Sequence, residues 1–342
     1  MTGEGNLDEV DLDLIAALQH APRAPFDLLA RTLGSSARTV ARRYGRLVED
    51  GLMSVICELD WSLLAEGVPV NVWIRTEPGQ AQAVAEALVD RSDTTYVAIC
   101  SGRGDVYAVL HGMTRDATTR ALVVELPGIS GVRGLRTEWV LRRLTSSAAW
   151  RLKRLSRAQE ESLVTQTNVV DETGTHQFGA LERKIAALLR EDARLPYADI
   201  ARSLDITESR ARRTATDMFS TGLLRPRVEV EPRELGFQIE AVLSISCHPN
   251  ATSRLGAALA SHPATRFLGI TGSSAMLTYD GVFHSEGELA DFLTGGFDRD
   301  NDITAVECSL QLEILKRYWT ARSPRGPSGG RSERVQDRRH SP

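Results

Sequence analysis

The stretch Ile15-Ala16-Ala17-Leu18 returns as Ile185-Ala186-Ala187-Leu188, and the match continues beyond it. Arg23, Ala30-Arg31, Leu33, Arg42 and Gly51-Leu52 come back as Arg194, Ala201-Arg202, Leu204, Arg213 and Gly222-Leu223. Farther on, Gly67 answers to Gly236 and Gly102 to Gly272, the spacing drifting by a residue or two as loops change length. Order is preserved throughout, so the chain reads as one module used twice, the first copy from about residue 7 to 144 and the second from about 179 to 319. A length of 342 residues gives each copy enough apolar side chains for its own core.

Within each copy a helical third precedes a strand-rich remainder. The boundaries expected are a helix-turn-helix domain at 1–60, a ferredoxin-like domain at 61–144, a linker at 145–178, a second helix-turn-helix domain at 179–230 and a second ferredoxin-like domain at 231–319. The linker opens on a basic amphipathic piece, AAWRLKRLSRAQEESL, read as helical. Residues 320–342, rich in Gly, Pro, Ser and Arg, have little to bury and read as a disordered basic tail. With 25% charged residues and no apolar run near the roughly 20 residues of a membrane helix, no membrane association is expected. The acidic start, MTGEGNLDEVDLDLI, lacks the basic and apolar regions of a signal peptide, so a cytoplasmic protein is expected. Cys57, Cys100, Cys247 and Cys308 stand singly, without metal-ligand spacing, and read as reduced thiols; no metal, cofactor or catalytic residue is expected.

In the first copy Val10, Leu14, Ile15 and Leu18 fall at helical spacing, and Pro22 and Pro25 mark the stop. A second helix from Phe26 ends at Leu33-Gly34, and Ser36 caps a third running from Ala37 to Asp50. Three short helices with a glycine-bearing turn make a helix-turn-helix. On the third helix Val40, Tyr44 and Leu47 face inward, Arg38, Arg42 and Gly45 outward, and Thr39 and Arg46 flank the outward face. Guanidinium groups so placed pair with guanine edges or phosphates, and short hydroxyl side chains at the helix start bond phosphate oxygens. The candidate DNA-binding residues are therefore Ser36, Arg38, Thr39, Arg42, Arg43 and Arg46, with Thr207, Ser209, Arg210 and Arg213 in the second copy. There Asp217 takes the place of Arg46 and Thr214 that of Arg43, so weaker DNA binding or a structural role is expected.

The remainder of each copy spells βαββαβ: VPVNVWIRT, a helix from Gln80 to Val89, TTYVAIC, DVYAVLH, a helix from Thr114 to Glu125 and a final strand from Val132 to Leu144. The fold class is α+β, a duplicated module of winged helix-turn-helix followed by a ferredoxin-like βαββαβ sandwich. One sheet face is left without helices, and Trp73, Tyr107 and Trp139 make it partly apolar. An internal pseudo-dimer of the two sheets covers it, as does homo-oligomerisation.

Nearly the whole chain resembles the Lrp/AsnC family of leucine-responsive and asparagine-type regulators, occurring twice in one polypeptide. The resemblance is carried by LDEVDLDLIAAL, by LARTLGSSARTVARRYGRLVEDGLM, by the connection Leu63 to Gly67 and by the SGRGD turn. It implies a transcriptional regulator that binds double-stranded DNA and responds to an amino acid or related small metabolite. The family's effector contacts cluster at the Gly-x-x-Asp turn, which implies Gly102, Arg103 and Asp105 as ligand-binding residues here and Gly272, Ser273 and Ser274 in the second copy, where Ala275 replaces the aspartate.

Two other readings compete. A sensor or interaction protein with degenerate DNA binding is favoured by Asp217 and opposed by Arg38, Arg42 and Arg46. A sirohaem-decarboxylase-like enzyme is the second, because that group shares the two-part fold. It is similar in architecture but carries closely spaced histidines before a tryptophan in the middle strands, whereas here only His111 lies nearby. The expectation is of a non-enzyme.

Overall fold

The computed structural model describes residues 7–60, 68–112, 114–146, 149–164, 179–295, 302–317 and 320–321. The connection Leu63 to Gly67, the linker from 165 to 178 and the tail past 321 lie outside the described residues. Helix α1 (Glu9–His20) begins at a reciprocal cap: the Asp8 carboxylate accepts from the Asp11 N–H at 2.8 Å and Asp11 from the Asp8 N–H at 3.2 Å. Helix α2 (Phe26–Leu33) stops because Gly34 turns left-handed at φ +63°. Helix α3 (Ala37–Glu49) starts at Ser36, whose hydroxyl accepts from the Thr39 N–H at 3.1 Å. Strand β1 (Met53–Leu59) completes this part.

Strand β2 (Val70–Thr76), helix α4 (Ala81–Val89), strands β3 (Thr94–Cys100) and β4 (Val106–Leu110), helix α5 (Arg115–Arg120, continued as a π-turn through Glu125) and strand β5 (Val132–Thr145) follow. After helix α6 (Arg157–Val164) the order runs again. Helices α7 (Ala180–Glu191), α8 (Tyr197–Leu204) and α9 (Glu208–Ser220) lead into strand β6 (Leu224–Val230). Then come β7 (Ile239–Cys247), α10 (Thr252–Ala260), β8 (Thr265–Gly272), β9 (Leu277–Phe283), α11 (Glu286–Gly295) and β10 (Ile303–Arg317).

The two helical parts form one body. A lone strand leaves its backbone unpaired, and β1 and β6 solve this for each other as an antiparallel ladder from Met53↔Val230 to Leu59↔Leu224. The wing expected within each module is thus shared between modules. Leu14, Leu18, Leu29 and Leu47 lie in the same core as Ile185, Leu189, Ile200 and Met218.

The two sheets join as well. Their orders, β3-β4-β2-β5 and β8-β9-β7-β10, are those of ferredoxin-like sandwiches. The last strand of each is long enough to serve both: β5 pairs with β2 up to Trp139 and with β8 from there on, while β10 pairs with β7 up to Leu310 and with β3 from Gln311. The strands therefore close into a ring, which removes the exposed edges that two open sheets would leave. Val70, Val72, Ile74, Val106 and Leu110 point outward to α4 and α5. Trp73 and Tyr107 point into the ring, their centroids 4.5 Å apart, with Tyr96 edge-on at 6.0 Å. Trp139, expected with them, packs instead with the outward core, under Arg115.

The amphipathic start of the linker departs from expectation. It is helical only from Arg157, and it docks on the first helical part rather than spanning freely. Gln159 Nε2 donates to the Thr32 carbonyl at 2.9 Å, Arg154 Nε to Asp13 at 2.7 Å, and Leu163 is fully buried in the shared core. Among the described residues no helix is long and apolar enough to cross a membrane.

Candidate nucleic-acid interface and effector pocket

Helix α3 offers Arg38 and Arg42 to solvent on one exposed face, with Ser36 at its start and Thr39 partly covered. Gly45 completes the face, and a Cβ there meets nothing within 4 Å. Two of the expected contact residues are placed elsewhere. Arg43 Nη1 binds Asp8 and Asp11, each at 2.7 Å, and Arg46 binds Asp11, which is 1% exposed. Both guanidiniums therefore brace α3 against α1, because a buried carboxylate needs a cation and α3 supplies two. Burial acts against the Asp8 carboxylate, but its bonds to Arg43 and to the Asp11 and Val10 backbone hold it below the usual carboxylate range.

The second recognition helix has the same outline and different charges. Thr207 caps it, accepting from the Arg210 N–H at 3.3 Å, and Ser209, Arg210 and Arg213 are exposed. The turn before it is made by Asp205 at φ +52°, where the first copy has Gly34. Asp217 is exposed beside the arginines, and Arg212 is paired with Glu208 at 2.9 Å. Sequence reasoning noticed Asp217 but missed Asp205 and Glu208, whose positions against Gly34 and Ala37 were readable from the repeat.

An open pocket of about 490 Å³ lies at one end of the strand ring, lined by Arg75, Thr76, Gly102, Gly104, Asp105, Arg133 and Gly134. Gly102 sits at φ +99°, and a Cβ there meets the Cys308 carbonyl at 2.9 Å, so this turn requires glycine. Asp105 Oδ2 accepts from the Thr76 N–H at 2.7 Å and from its hydroxyl at 3.2 Å, which fixes the carboxylate on the pocket wall. Arg103 is not in the pocket. It points into the ring, over Trp73, where its Nη2 meets the fully buried Glu138 at 2.8 Å and its Nη1 meets Glu307. Alternation along a strand would put Arg103 and Asp105 on one side, but the turn, with Gly102 at φ +99°, breaks it and the two diverge. Arg75 and Arg133 were missed because both belong to strands far from the turn in sequence. Gly272, Ser273 and Ser274 form the counterpart turn, whose polar groups are used locally: Ser273 Oγ bonds the Ala275 backbone, and the Ser274 carbonyl accepts from Ser246.

The thiols of Cys57 and Cys100 are pushed up to about 12 by burial and are inert at neutral pH. Among the described residues no group of three or more His, Cys, Asp or Glu side chains is placed to hold a metal ion.

Residues 7–48 match the AsnC-type helix-turn-helix domain. An uncharacterized HTH-type transcriptional regulator of Pyrococcus furiosus is 29% identical over 143 residues, 42% of this chain and 96% of that protein. The HTH-type transcriptional regulator LrpA of Pyrococcus horikoshii is 23% identical over 137 residues, 40% of this chain and 96% of its own length. Over nearly the full length, the fold is similar to that of the siroheme decarboxylase NirDL, with a TM-score of 0.63 at 14% identity, covering 91% of this chain and 93% of that one. The chain carries an AsnC-type helix-turn-helix domain and is a relative of the Lrp/AsnC-type transcriptional regulators.

Proposed function

We propose that this chain is a sequence-specific DNA-binding regulator whose single polypeptide supplies both halves of the DNA-reading unit. The observation that carries the reading is the open face of α3, where Arg38 and Arg42 stand free on a matched helix-turn-helix and Arg43 and Arg46 hold the helix still. Ser36, Thr39, Arg38 and Arg42 contact phosphates and base edges, and Thr207, Ser209, Arg210 and Arg213 make a weaker second contact. The protein works in the cytoplasm, on the nucleoid. Selection of bound fragments from random DNA, followed by a gel shift, tests this: the wild type enriches a motif, and Arg38→Ala/Arg42→Ala loses it. Failure of the wild type to enrich any motif would sink the reading.

The pocket beside Gly102 and Asp105 takes the effector. Two guanidiniums and glycine backbone line it and no apolar side chain does, which suits a carboxylate-bearing polar metabolite better than a branched-chain amino acid. The turn at Gly272, Ser273 and Ser274 has Ala275 in place of Asp105, so it offers no carboxylate to an amine on the ligand and takes an amino acid less well. From pocket to DNA the coupling path runs through buried ion pairs between strand ring and β-ladder, Arg143 with Asp60 and Arg317 with Glu229. Thermal-shift screening with amino acids and dicarboxylates gives hits that Arg75→Ala removes; hits that survive place the site elsewhere.

A non-enzymatic role belongs to this reading. The full-length likeness to a decarboxylase keeps a second reading open to test, and absorbance titration with an iron porphyrin separates them: no Soret shift is expected.

A further inference from the structure

Arg23 and Arg194 occupy matching loops, one after α1 and the other after α7, and each reaches into the opposite module. Arg194 donates through Nη1 to the Pro22 carbonyl at 2.7 Å and through Nη2 to the Ala24 carbonyl at 2.9 Å. Its guanidinium lies over Phe26 at 4.7 Å and over Tyr44 at 5.1 Å. Arg23 returns the contact, donating to the Ala193 carbonyl and lying over Tyr197 at 5.3 Å and Phe219 at 4.8 Å. In each case one ring belongs to the second helix of the motif and the other to the recognition helix: Tyr44 is on α3 and Phe219 on α9. Each recognition helix is thus gripped by an arginine of the other module.

The two grips are not identical. Phe26 and Tyr197 hold equivalent places, but the recognition-helix ring is Tyr44 in one module and Phe219, one turn farther along, in the other. A flat, delocalised cation that stacks on two rings while its N–H groups bond carbonyls constrains direction as well as distance. An ammonium keeps the charge and loses both the stacking plane and the fork.

We infer that Arg23 and Arg194 are positioning residues that fix the separation and relative tilt of α3 and α9, and thereby the half-site spacing the chain accepts on DNA. This inference rests on the DNA-binding reading for its second half only. The core of the helical body and the β1–β6 ladder hold the two modules together without the pair; the pair sets their angle.

The test uses the full chain carrying Arg23→Lys and Arg194→Lys together. Nitroxide labels at Glu49→Cys and Ser220→Cys, exposed and equivalent positions on α3 and α9, in a Cys308→Ser background, report the helix separation by pulsed electron paramagnetic resonance. The wild type gives a narrow distance distribution, and the double variant broadens it at least about twofold, as expected when an orienting contact is replaced by a point charge. On DNA, half-sites moved apart in single base-pair steps cost the wild type about tenfold or more, because each step also rotates one half-site about the duplex axis; the variant discriminates less than about threefold. An unchanged distance distribution overturns the inference, whatever happens on DNA. A broadened distribution with unchanged spacing preference overturns its functional half. If the wild type binds no DNA, the DNA-binding reading fails while the distance measurement still decides the clamp. Should the double variant not fold, the single variants Arg23→Lys and Arg194→Lys are measured, each expected to broaden the distribution by part of that amount, and an unchanged width in both overturns the inference.

Discussion

The two recognition helices share a cap, a length, an inward face and one arginine, Arg42 answering to Arg213, yet their other charged positions differ. Helix α3 is tied to α1 by Arg43 and Arg46 on Asp8 and Asp11. Counted from the helix starts, the equivalent places in the second module hold Thr214, Asp217, Gly179 and Glu182, and α7 starts without a side-chain cap. Where the first turn has Gly34 and Ala37, the second has Asp205 and Glu208. One helix is braced and presents cations; the other is unbraced from this side and mixes cations with carboxylates. Two copies of a motif thus keep one fold while the charges around their exposed helices diverge.

The largest effect expected from this contrast is on DNA. Arg38→Ala/Arg42→Ala loses about 1–3 kcal/mol for each base-reading contact, so about 30-fold to well over 1,000-fold in Kd for the pair. Arg210→Ala/Arg213→Ala costs less than roughly 1 kcal/mol beyond a flatter salt dependence. Fluorescence anisotropy at two salt concentrations checks both, and equal losses would break the comparison.

Next in size is the brace. Asp11→Ala takes one buried carboxylate from the half-buried Arg43 and Arg46, leaves Arg43 its contact with Asp8, and half-opens the cap of α1, a loss of about 1–2 kcal/mol of stability. The equivalent Glu182→Ala costs under about 0.5 kcal/mol, since no such pair depends on it. Denaturant midpoints measure the contrast. A smaller effect sharpens it: Asp217→Arg restores the cation of the first module, and it steepens the salt dependence of DNA binding by roughly one phosphate contact while raising affinity a fewfold.

The same contrast continues inside the strand ring, where the first module contributes Trp73, Tyr96 and Tyr107 and the second Ser244, Thr278 and Asp280. Burial, helped by the charge of Glu240, lifts the Asp280 carboxyl to about 7, against the pull of Arg317 and Arg266. A carboxyl raised in the folded state holds its proton longer there than when unfolded, so stability falls as pH rises from about 4 to about 7. Asp280→Asn removes that slope, which Tm measured across pH 4 to 7 reads directly. An unaltered profile from pH 4 to 7 would refute the assignment.

Much of this was legible in the sequence because it is local. The repeat, the glycine turn at Gly34, the caps at Ser36 and Thr207 and the strand TTYVAIC need only neighbouring residues to decide them. What stayed hidden depends on partners far along the chain. The sequence of β5 announces one strand, but not that its first half pairs with β2 and its second with β8. A helical wheel places Arg43 and Arg46 beside an outward face, and only packing reveals that Asp11 is buried and needs them. Arg103 and Asp105 stand two apart, which strand alternation would put on one side, and only the folded turn sends one inward and the other to the pocket. Arg23 and Arg194 were visible as a matched pair, with nothing local to say that each crosses to the other module.

The central claim is that one chain, pairing its own two modules, reads DNA chiefly through the first. Footprinting of the selected site together with the mass of the protein–DNA complex tests it most directly. The expected result is one chain per site, with a strong half-site protected through Arg38 and Arg42 and a degenerate half beside it. A palindrome protected equally in both halves by two chains, each through Arg38 and Arg42, would contradict it.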